Sequence, residues 1–483
     1  MKLGDLLDLA SEHPSYNLAV SGLSSDSRKT KPGDVFAALT GTLSDGRAYV
    51  SKAVAAGAVA ILAEPGLAEC GVPIISVVSA RDALSKAAAR FYPRQPETVI
   101  AITGTNGKSS TVDFLRQIWT YAGRAAASVG TLGAIGPKGR IDLGFTTPDP
   151  IALHATLQDL ADDGITHIAM ESSSHALDQR RMHGVRLAAG GFSNLTQDHL
   201  DYHLTMDGYR GAKLRLFTEL LAPGQPAIVN ADALEAHPFE AAAKEKNLDL
   251  KLVGWRGTYL KIVELWPKPA SQRLDLRYEN KTYRVEIPLI GEFQALNAVM
   301  AAGFALVLGE KPEVVFEALS TLKTVKGRME HIGGTADGAH VFVDYAHTPD
   351  GLDVLLRAAR PHAPGRIILV FGCGGDRDTG KRPLMGALAA KYADMVIVTD
   401  DNPRTENAAT IRQNVLVGCP EALEIGDRGE AIRKGVALLA KGDCLLIAGK
   451  GHETGQLVNG TTLPFSDQET AATALLARGG ALD

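Results

Sequence analysis

Thr98-Val-Ile-Ala-Ile-Thr-Gly-Thr-Asn-Gly-Lys-Ser-Ser-Thr111 carries a short apolar run into a glycine-rich turn and then into a helix start. Backbone N–H groups of the turn and of the following helix can converge on one anion, Lys108 adds a mobile positive charge, and the Ser109 hydroxyl can ligate Mg2+. ATP or GTP is the guest such a cradle suits. A full Walker loop would place glycine at position 102, where Ile102 stands, so the loop is a compressed variant. A plain structural turn is the other reading of Gly-Lys-Ser behind a strand.

Working outward, strand and helix patterns alternate from 95 to about 325, which predicts an α/β fold: a mostly parallel sheet with helices on both faces. His167-Ile-Ala-Met170 is an apolar strand that ends in Glu171-Ser-Ser-Ser-His175, at the strand end where ligands of open α/β sheets collect. Gly191-Phe-Ser-Asn194 leads into Leu195-Thr-Gln-Asp-His-Leu-Asp-Tyr-His203, which is dense in metal-capable groups. Tyr209 to Phe217 reads as a helix carrying Lys213, whose ordinary place would be solvent. Arg273-Leu-Asp-Leu-Arg-Tyr278 and Lys281-Thr-Tyr-Arg-Val-Glu-Ile287 predict antiparallel strands.

Residues 1–94 form a small α/β pattern. Val35–Leu39, Ala58–Leu62 and Pro73–Val78 are strand candidates, and Tyr49–Ala56 and Asp82–Phe91 are helix candidates. Two polar turns, Ser24-Ser-Asp-Ser-Arg28 and Gly41-Thr-Leu-Ser-Asp-Gly-Arg47, crowd hydroxyls beside an arginine and suit a nucleotide diphosphate or sugar, although such residues are also ordinary turn formers.

Residues 326–483 alternate strand and helix again. Val341–Asp344, Ile367–Phe371, Met395–Thr399 and Cys444–Ala448 each end in a polar or glycine-rich loop: Asp344-Tyr-Ala-His-Thr-Pro349, Gly372-Cys-Gly-Gly-Asp-Arg-Asp378, Asp400-Asp-Asn-Pro-Arg404 and Gly449-Lys-Gly-His-Glu453. Four loops at the carboxyl ends of parallel strands make one rim. The Arg404 guanidinium beside Asp401 and Asn402 can clasp a carboxylate bidentately, so an amino acid with a distal carboxylate suits it and plain lysine does not.

At 483 residues, 45% hydrophobic and 22% charged, the chain is an ordinary globular sequence of several domains. Its net charge of −5 favours neither nucleic acid nor an anionic membrane. Cys70, Cys373, Cys419 and Cys444 form no close-spaced pair, which suits reduced thiols in a cytoplasm and no zinc site. The first ten residues mix acids with apolar residues, and no run of about 18 uncharged apolar residues follows, so neither export nor membrane insertion is expected. A phosphate cradle in one unit and a charged rim in another suit carboxylate activation. ATP phosphorylates an acid, an amine captures the acyl phosphate, and phosphate leaves.

Together the motifs resemble the ATP-dependent Mur ligases of bacterial cell-wall synthesis, over essentially the whole chain. Thr103-Gly-Thr-Asn-Gly-Lys-Ser109, Glu171-Ser-Ser-Ser-His175, Asn194-Leu-Thr-Gln-Asp-His199, Gly211-Ala-Lys213, Asn297, Gly327-Arg328 and Asp344-Tyr-Ala-His-Thr-Pro349 stand in the family's order. Asp26-Ser-Arg28, Asp45-Gly-Arg47, Thr146-Thr-Pro-Asp149 and Asp401-Asn-Pro-Arg404 look like the member that adds meso-diaminopimelate to UDP-N-acetylmuramoyl-L-alanyl-D-glutamate. A lysine-adding relative differs at the Arg404 position. A folylpolyglutamate synthetase-like ligase shares the cradle but begins near it, whereas here 94 residues precede it.

The resemblance implies three domains: 1–94 for the UDP substrate, a central P-loop domain over 95–325, and a Rossmann-like amino-acid domain over 326–483. It implies ATP as co-substrate held by Gly104, Thr105, Asn106, Gly107, Lys108, Ser109 and Ser110, with Asn297, Arg328, Asp344 and His347. Mg2+ would sit among Ser109, Glu171, His199 and a carbamylated Lys213, and Lys108, Lys213, Glu171 and His199 would be catalytic. Ser25, Ser27, Thr42, Leu43, Ser44, Thr146, Thr147, Ser173, Gln179 and Arg181 would hold the UDP-muramoyl dipeptide. Arg377, Asp401, Asn402, Pro403, Arg404, Gly449 and Glu453 would enclose diaminopimelate. A cytoplasmic monomer that binds no nucleic acid is expected.

Overall fold

The computed structural model describes residues 1–41 and 45–482, so the expected Thr42-Leu-Ser44 contact lies outside the described residues. The chain packs as two compact units, 1–258 with 303–310 and 259–302 with 311–483.

The first unit opens with a sheet of four parallel strands, β1 (Gly22–Ser24), β2 (Asp34–Ala37), β3 (Ala60–Ala63) and β4 (Ile74–Ser76), in sequence order. β2 and β3 are buried on both faces, which is why they read as unbroken apolar runs. β1 was not expected, because Gly-Leu-Ser carries no apolar periodicity. The helix Ala80–Phe91 is capped by Ser79, whose hydroxyl accepts from the Asp82 N–H. Its Ser85 hydroxyl donates to the carbonyls of Arg181 (2.9 Å) and His183 (2.7 Å) in the following domain. The Gln95 side-chain amide, just after that helix, donates to the Gly184 carbonyl.

The second sheet of this unit contains β5 (Thr98–Thr103), β6 (Ala126–Gly130), β7 (Gly133–Gly136), β8 (Gly139–Ile141), β9 (His167–Glu171), β10 (Ala189–Phe192), β11 (Pro226–Asn230) and β12 (Asp249–Gly254). Their order is β12-β11-β10-β5-β9-β6-β7-β8, parallel from β12 to β6 and antiparallel through β7 and β8. Thr-Val-Ile-Ala-Ile-Thr suits the central strand β5 because β-branched residues fill both covered faces. The helix Lys108–Tyr121 starts at Gly107, whose φ of 83° a residue with a Cβ rarely adopts. It buries Val112, Leu115, Ile118 and Trp119 at helical spacing.

In the second unit β13 (Leu260–Pro267), β14 (Gln272–Tyr278) and β15 (Lys281–Ile287) form the expected antiparallel ribbon. The larger sheet holds β16 (Glu330–Gly334), β17 (His340–Asp344), β18 (Ile367–Phe371), β19 (Met395–Val398), β20 (Leu423–Glu424), β21 (Cys444–Ala448) and β24 (Ala481–Leu482); β22 (Gly455–Val458) and β23 (Thr461–Pro464) make a separate hairpin. Its order is β20-β19-β18-β21-β17-β16-β24, and the five strands from β20 to β17 are parallel. The loops after β17, β18, β19 and β21 therefore emerge along one edge. No helix among the described residues is long and apolar enough to cross a membrane. All four cysteines are free.

Candidate functional site

Around the cradle, Gly104 and Asn194 set the geometry. The Asn194 carbonyl accepts from Thr105 N–H, its side-chain oxygen accepts from Asn106 N–H, and its amide and the Ser193 hydroxyl donate to the Asn106 carbonyl. These bonds hold the turn open in front of the helix N-terminus, which no side chain caps. Lys108 Nζ folds onto the carbonyls of Gly104 (2.9 Å) and Thr105 (2.8 Å). Ser110 is buried in the first helical turn.

Lys213 overturns its ordinary expectation of a solvated lysine. Only 1% exposed, it donates to the Gly104 carbonyl at 2.7 Å and lies 4.5 Å from the centre of the Tyr209 ring. Burial first, and the nearby charge of Lys108 second, lower its pKa well below the ordinary lysine value.

Glu171 joins the cradle to the residues expected to meet the dipeptide. Ser109 donates to its carboxylate at 2.8 Å, as does Thr131 N–H at 2.8 Å. Thr131 and Thr146 share a hydroxyl contact of 3.0 Å, and Thr147 donates to the Glu171 carbonyl. Thr147 in turn accepts from Ser173 N–H, and its carbonyl accepts from Arg181 Nη1 at 2.7 Å. Gln179 accepts from Arg181 and donates to the Tyr202 hydroxyl. Gly130 leaves room for this network, since a Cβ there would stand 2.1 Å from Glu171 Oε1.

Hard oxygens are the donors Mg2+ takes, and the Ser109 hydroxyl with the Glu171 carboxylate supplies two that already meet. His199 belongs to a neighbouring ring cluster, with its centroid 4.8 Å from His175 and 6.0 Å from Tyr209. Its φ of 52° and the 63° of Leu204 mark a strained turn. Burial lowers the pKa values of His175 and His203. Among the described residues no group of three or more His, Cys, Asp or Glu is placed to hold an ion by itself. His199 and His203, four apart, both pack against the His175 ring, and His199 also pairs with Asp198.

In the first domain Ser25 is exposed and Ser27 buried. Arg28 and Arg47 each close on the aspartate two residues earlier, Asp26 and Asp45. The Arg28 side chain, with its backbone N–H, holds Asp26 down at about 2.

In the second unit, Asn297 donates to Gln294, whose amide donates to the Arg328 carbonyl. The Arg328 guanidinium stacks 4.8 Å from the centre of the Tyr345 ring. Asp344 accepts from Met329 N–H and Ala346 N–H; burial pushes its pKa up against Arg328.

The four loops line one cavity of about 690 Å³. Arg377, Asp401, Asn402, Arg404, Gly449 and Glu453 all face it, as do His347 and Lys381. Pro403 does not line it; its carbonyl backs onto Gly375, where a Cβ would stand at 2.0 Å. Arg404 has a φ of 54° and spends Nη1 on the Gly375 carbonyl at 2.6 Å. Asn402 is occupied within the protein: its carbonyl accepts from Lys450 Nζ and Leu457 N–H, and its amide donates to Glu453. Burial raises the Glu453 pKa, and the hydrogen bonds from Asn402 and Lys450 more than offset it, leaving a net lowering. Beneath the loops a fully buried pair, Arg428 with Asp467, ties the Asp400 and Ala448 carbonyls together.

Sequence reasoning missed Thr131, Tyr209, Lys381 and Lys450. Lys450 left a trace, a lysine between two glycines directly after a buried strand. The other three carry no local signal.

Three family models match the chain: "Mur ligase family, catalytic domain" over residues 19–92, "Mur ligase middle domain" over 102–305, and "Mur ligase, glutamate ligase domain" over 327–451. The chain is 51% identical over 482 residues to the UDP-N-acetylmuramoyl-L-alanyl-D-glutamate--2,6-diaminopimelate ligase of Chelativorans sp., covering 99% of this chain and all of that one. It is 50% identical to the protein of the same name from Agrobacterium fabrum, over 95% of this chain and 94% of that one. A solved structure of a ligase so named is 31% identical, with a TM-score of 0.77 over 99% of both chains. With three Mur ligase models matched in succession along three α/β domains, and identity of about half over 99% of its length, the chain belongs to the Mur ligase family.

Proposed function

We infer that this chain is the ATP-dependent ligase that joins meso-diaminopimelate to UDP-N-acetylmuramoyl-L-alanyl-D-glutamate in peptidoglycan precursor synthesis. The supporting observation is the cavity that presents Arg377 and Arg404 beside Asp401 and Glu453, a bipolar lining suited to an amino acid with a second ammonium and carboxylate.

In this reading Lys108, the cradle N–H groups, Ser109 and Ser110 hold the ATP phosphates, while Asn297, Arg328, Asp344 and His347 serve the rest of the nucleotide. Ser25, Ser27 and residues 42–44 hold the uridine diphosphate, and Thr146, Thr147, Ser173, Gln179 and Arg181 hold the dipeptide. Ser109, Glu171 and His199 would hold Mg2+, which when bound offsets charge on the transferred phosphoryl group. The dipeptide carboxylate attacks the terminal phosphorus of ATP and ADP leaves. The amine of diaminopimelate then attacks the acyl carbon, loses a proton, and expels phosphate.

Lys213 would act as a carbamate. A desolvated, neutral amine adds to CO2 and releases a proton, which turns a buried base into an anion able to meet a second Mg2+ or a phosphate-bound cation. We place the reaction in the cytoplasm and assign it to a monomer, since one chain carries all three sets of residues. Phosphate release by the purified protein, with ATP, the UDP-muramoyl dipeptide and a panel of amino acids, tests the reading. Diaminopimelate should support release and lysine should not; release with lysine alone, or with a pteroate and glutamate in place of the dipeptide, would overturn it.

A further inference from the structure

The Lys450 side chain is 0% exposed, and its ammonium donates to Asn402 Oδ1 at 2.9 Å and to Glu453 Oε2 at 3.0 Å. Asn402 Nδ2 donates to the same Glu453 oxygen at 2.8 Å, and Leu457 N–H adds a donor to Asn402 Oδ1 at 2.9 Å. Every hydrogen bond to Glu453 in this network therefore falls on Oε2, while Glu453 itself lines the cavity. A charge removed from water needs an opposite charge with its hydrogen bonds satisfied, and here the cation serves one carboxylate and one amide that both face the ligand space.

We propose that Lys450 is a positioning residue of the acceptor pocket, locking Asn402 and one oxygen of Glu453 so that the other oxygen is presented, ionised, to the ammonium of the incoming amino acid. The proposal rests on the amino-acid reading of the cavity. It also changes the role of Asn402, whose amide is committed to Lys450, Leu457 and Glu453 and so orients the wall of the cavity. Further groups act on Glu453: His452 on its own loop, Tyr345 from the loop after β17, and Arg428 from the helix Arg428–Leu438. Asp401 and Arg404 line the same cavity. Lys450 is the cation in direct contact with the carboxylate.

Steady-state kinetics across pH tests this with Lys450→Gln, which keeps N–H donors and removes the charge, and with Lys450→Arg, which keeps both. Lys450→Gln should raise the diaminopimelate KM by on the order of 10- to 100-fold, with kcat and the KM values for ATP and the UDP-muramoyl dipeptide nearly unchanged. The acid limb of kcat/KM for diaminopimelate should move to higher pH, because a carboxylate that loses its cation binds a proton more readily. Lys450→Arg should keep the wild-type limb. A wild-type KM in Lys450→Gln, or a KM raised equally at every pH with the limb unmoved, overturns the proposal and leaves the ligase reading intact. If Lys450→Gln does not fold, Lys450→Arg decides: a displaced limb refutes the role and an unmoved one supports it. A wild-type enzyme inactive with diaminopimelate overturns both readings.

Discussion

Lys213 is buried against one glycine-rich turn and Lys450 within another, and their surroundings give them opposite chemistry. Lys213 meets a carbonyl, an aromatic face and the field of a second lysine. Lys450 meets an amide carbonyl and a carboxylate. Burial without an anion favours the neutral amine, a nucleophile; burial against an anion keeps a fixed cation. The first arrangement suits a covalent modification and the second suits holding a ligand-binding wall in place, so the same residue type serves the two halves of a ligation differently.

The most severe break in this comparison is Lys213→Ala. Turnover should fall by on the order of a thousandfold or more, and short carboxylic acids should restore part of it, as phosphate release would record. Full activity in the mutant would remove the carbamate from the mechanism.

Arg404→Ala comes next. With its Nη1 already anchored to Gly375, the remaining guanidinium donors are those free to grip a carboxylate, so the diaminopimelate KM should rise about 100-fold while the ATP KM stays put. An unchanged diaminopimelate KM would separate the arginine from the acceptor.

Gly449→Ala should act more mildly. Gly449 has a φ of 118°, and a Cβ there would stand 2.6 Å from Asp401 Oδ2, so both strain and displacement of a cavity wall are expected. Denaturant unfolding should show a loss of about 1–2 kcal/mol, with a several-fold rise in the acceptor KM and no effect on the cradle.

The smallest effect sharpens the contrast in charge. Because folding lowers the Lys213 pKa, the unfolded chain binds more protons between that lowered value and the ordinary lysine range, and stability rises with pH across that window. The thermal midpoint of wild type relative to Lys213→Met should therefore climb as pH increases there. A gap that does not vary with pH would mean that the amine keeps its ordinary affinity for protons.

The contrast also explains how far the residues could be read in advance. The parallel strands β5, β9, β18 and β21 announced themselves as short apolar runs because both of their faces are covered. The loops after β17, β18, β19 and β21 could be gathered into one rim because parallel strands put their carboxyl ends on one edge, and the cavity draws on all four of those loops. β1 escaped because three residues carry no period. The 195–203 segment read as dense in metal-capable groups, and folding places His199 and His203 of that segment around the His175 ring.

By itself, then, the order of residues pointed to the α/β class, the four-loop rim and the family, because apolar runs and short motifs are each local and their succession along the chain can be read directly. What only the folded chain decided was which lysine loses its solvent and which gains a partner. Burial and charge pairing are set by segments distant in sequence: Gly104 and Tyr209 around Lys213, and Asn402 against Lys450, brought together by packing that no local stretch encodes.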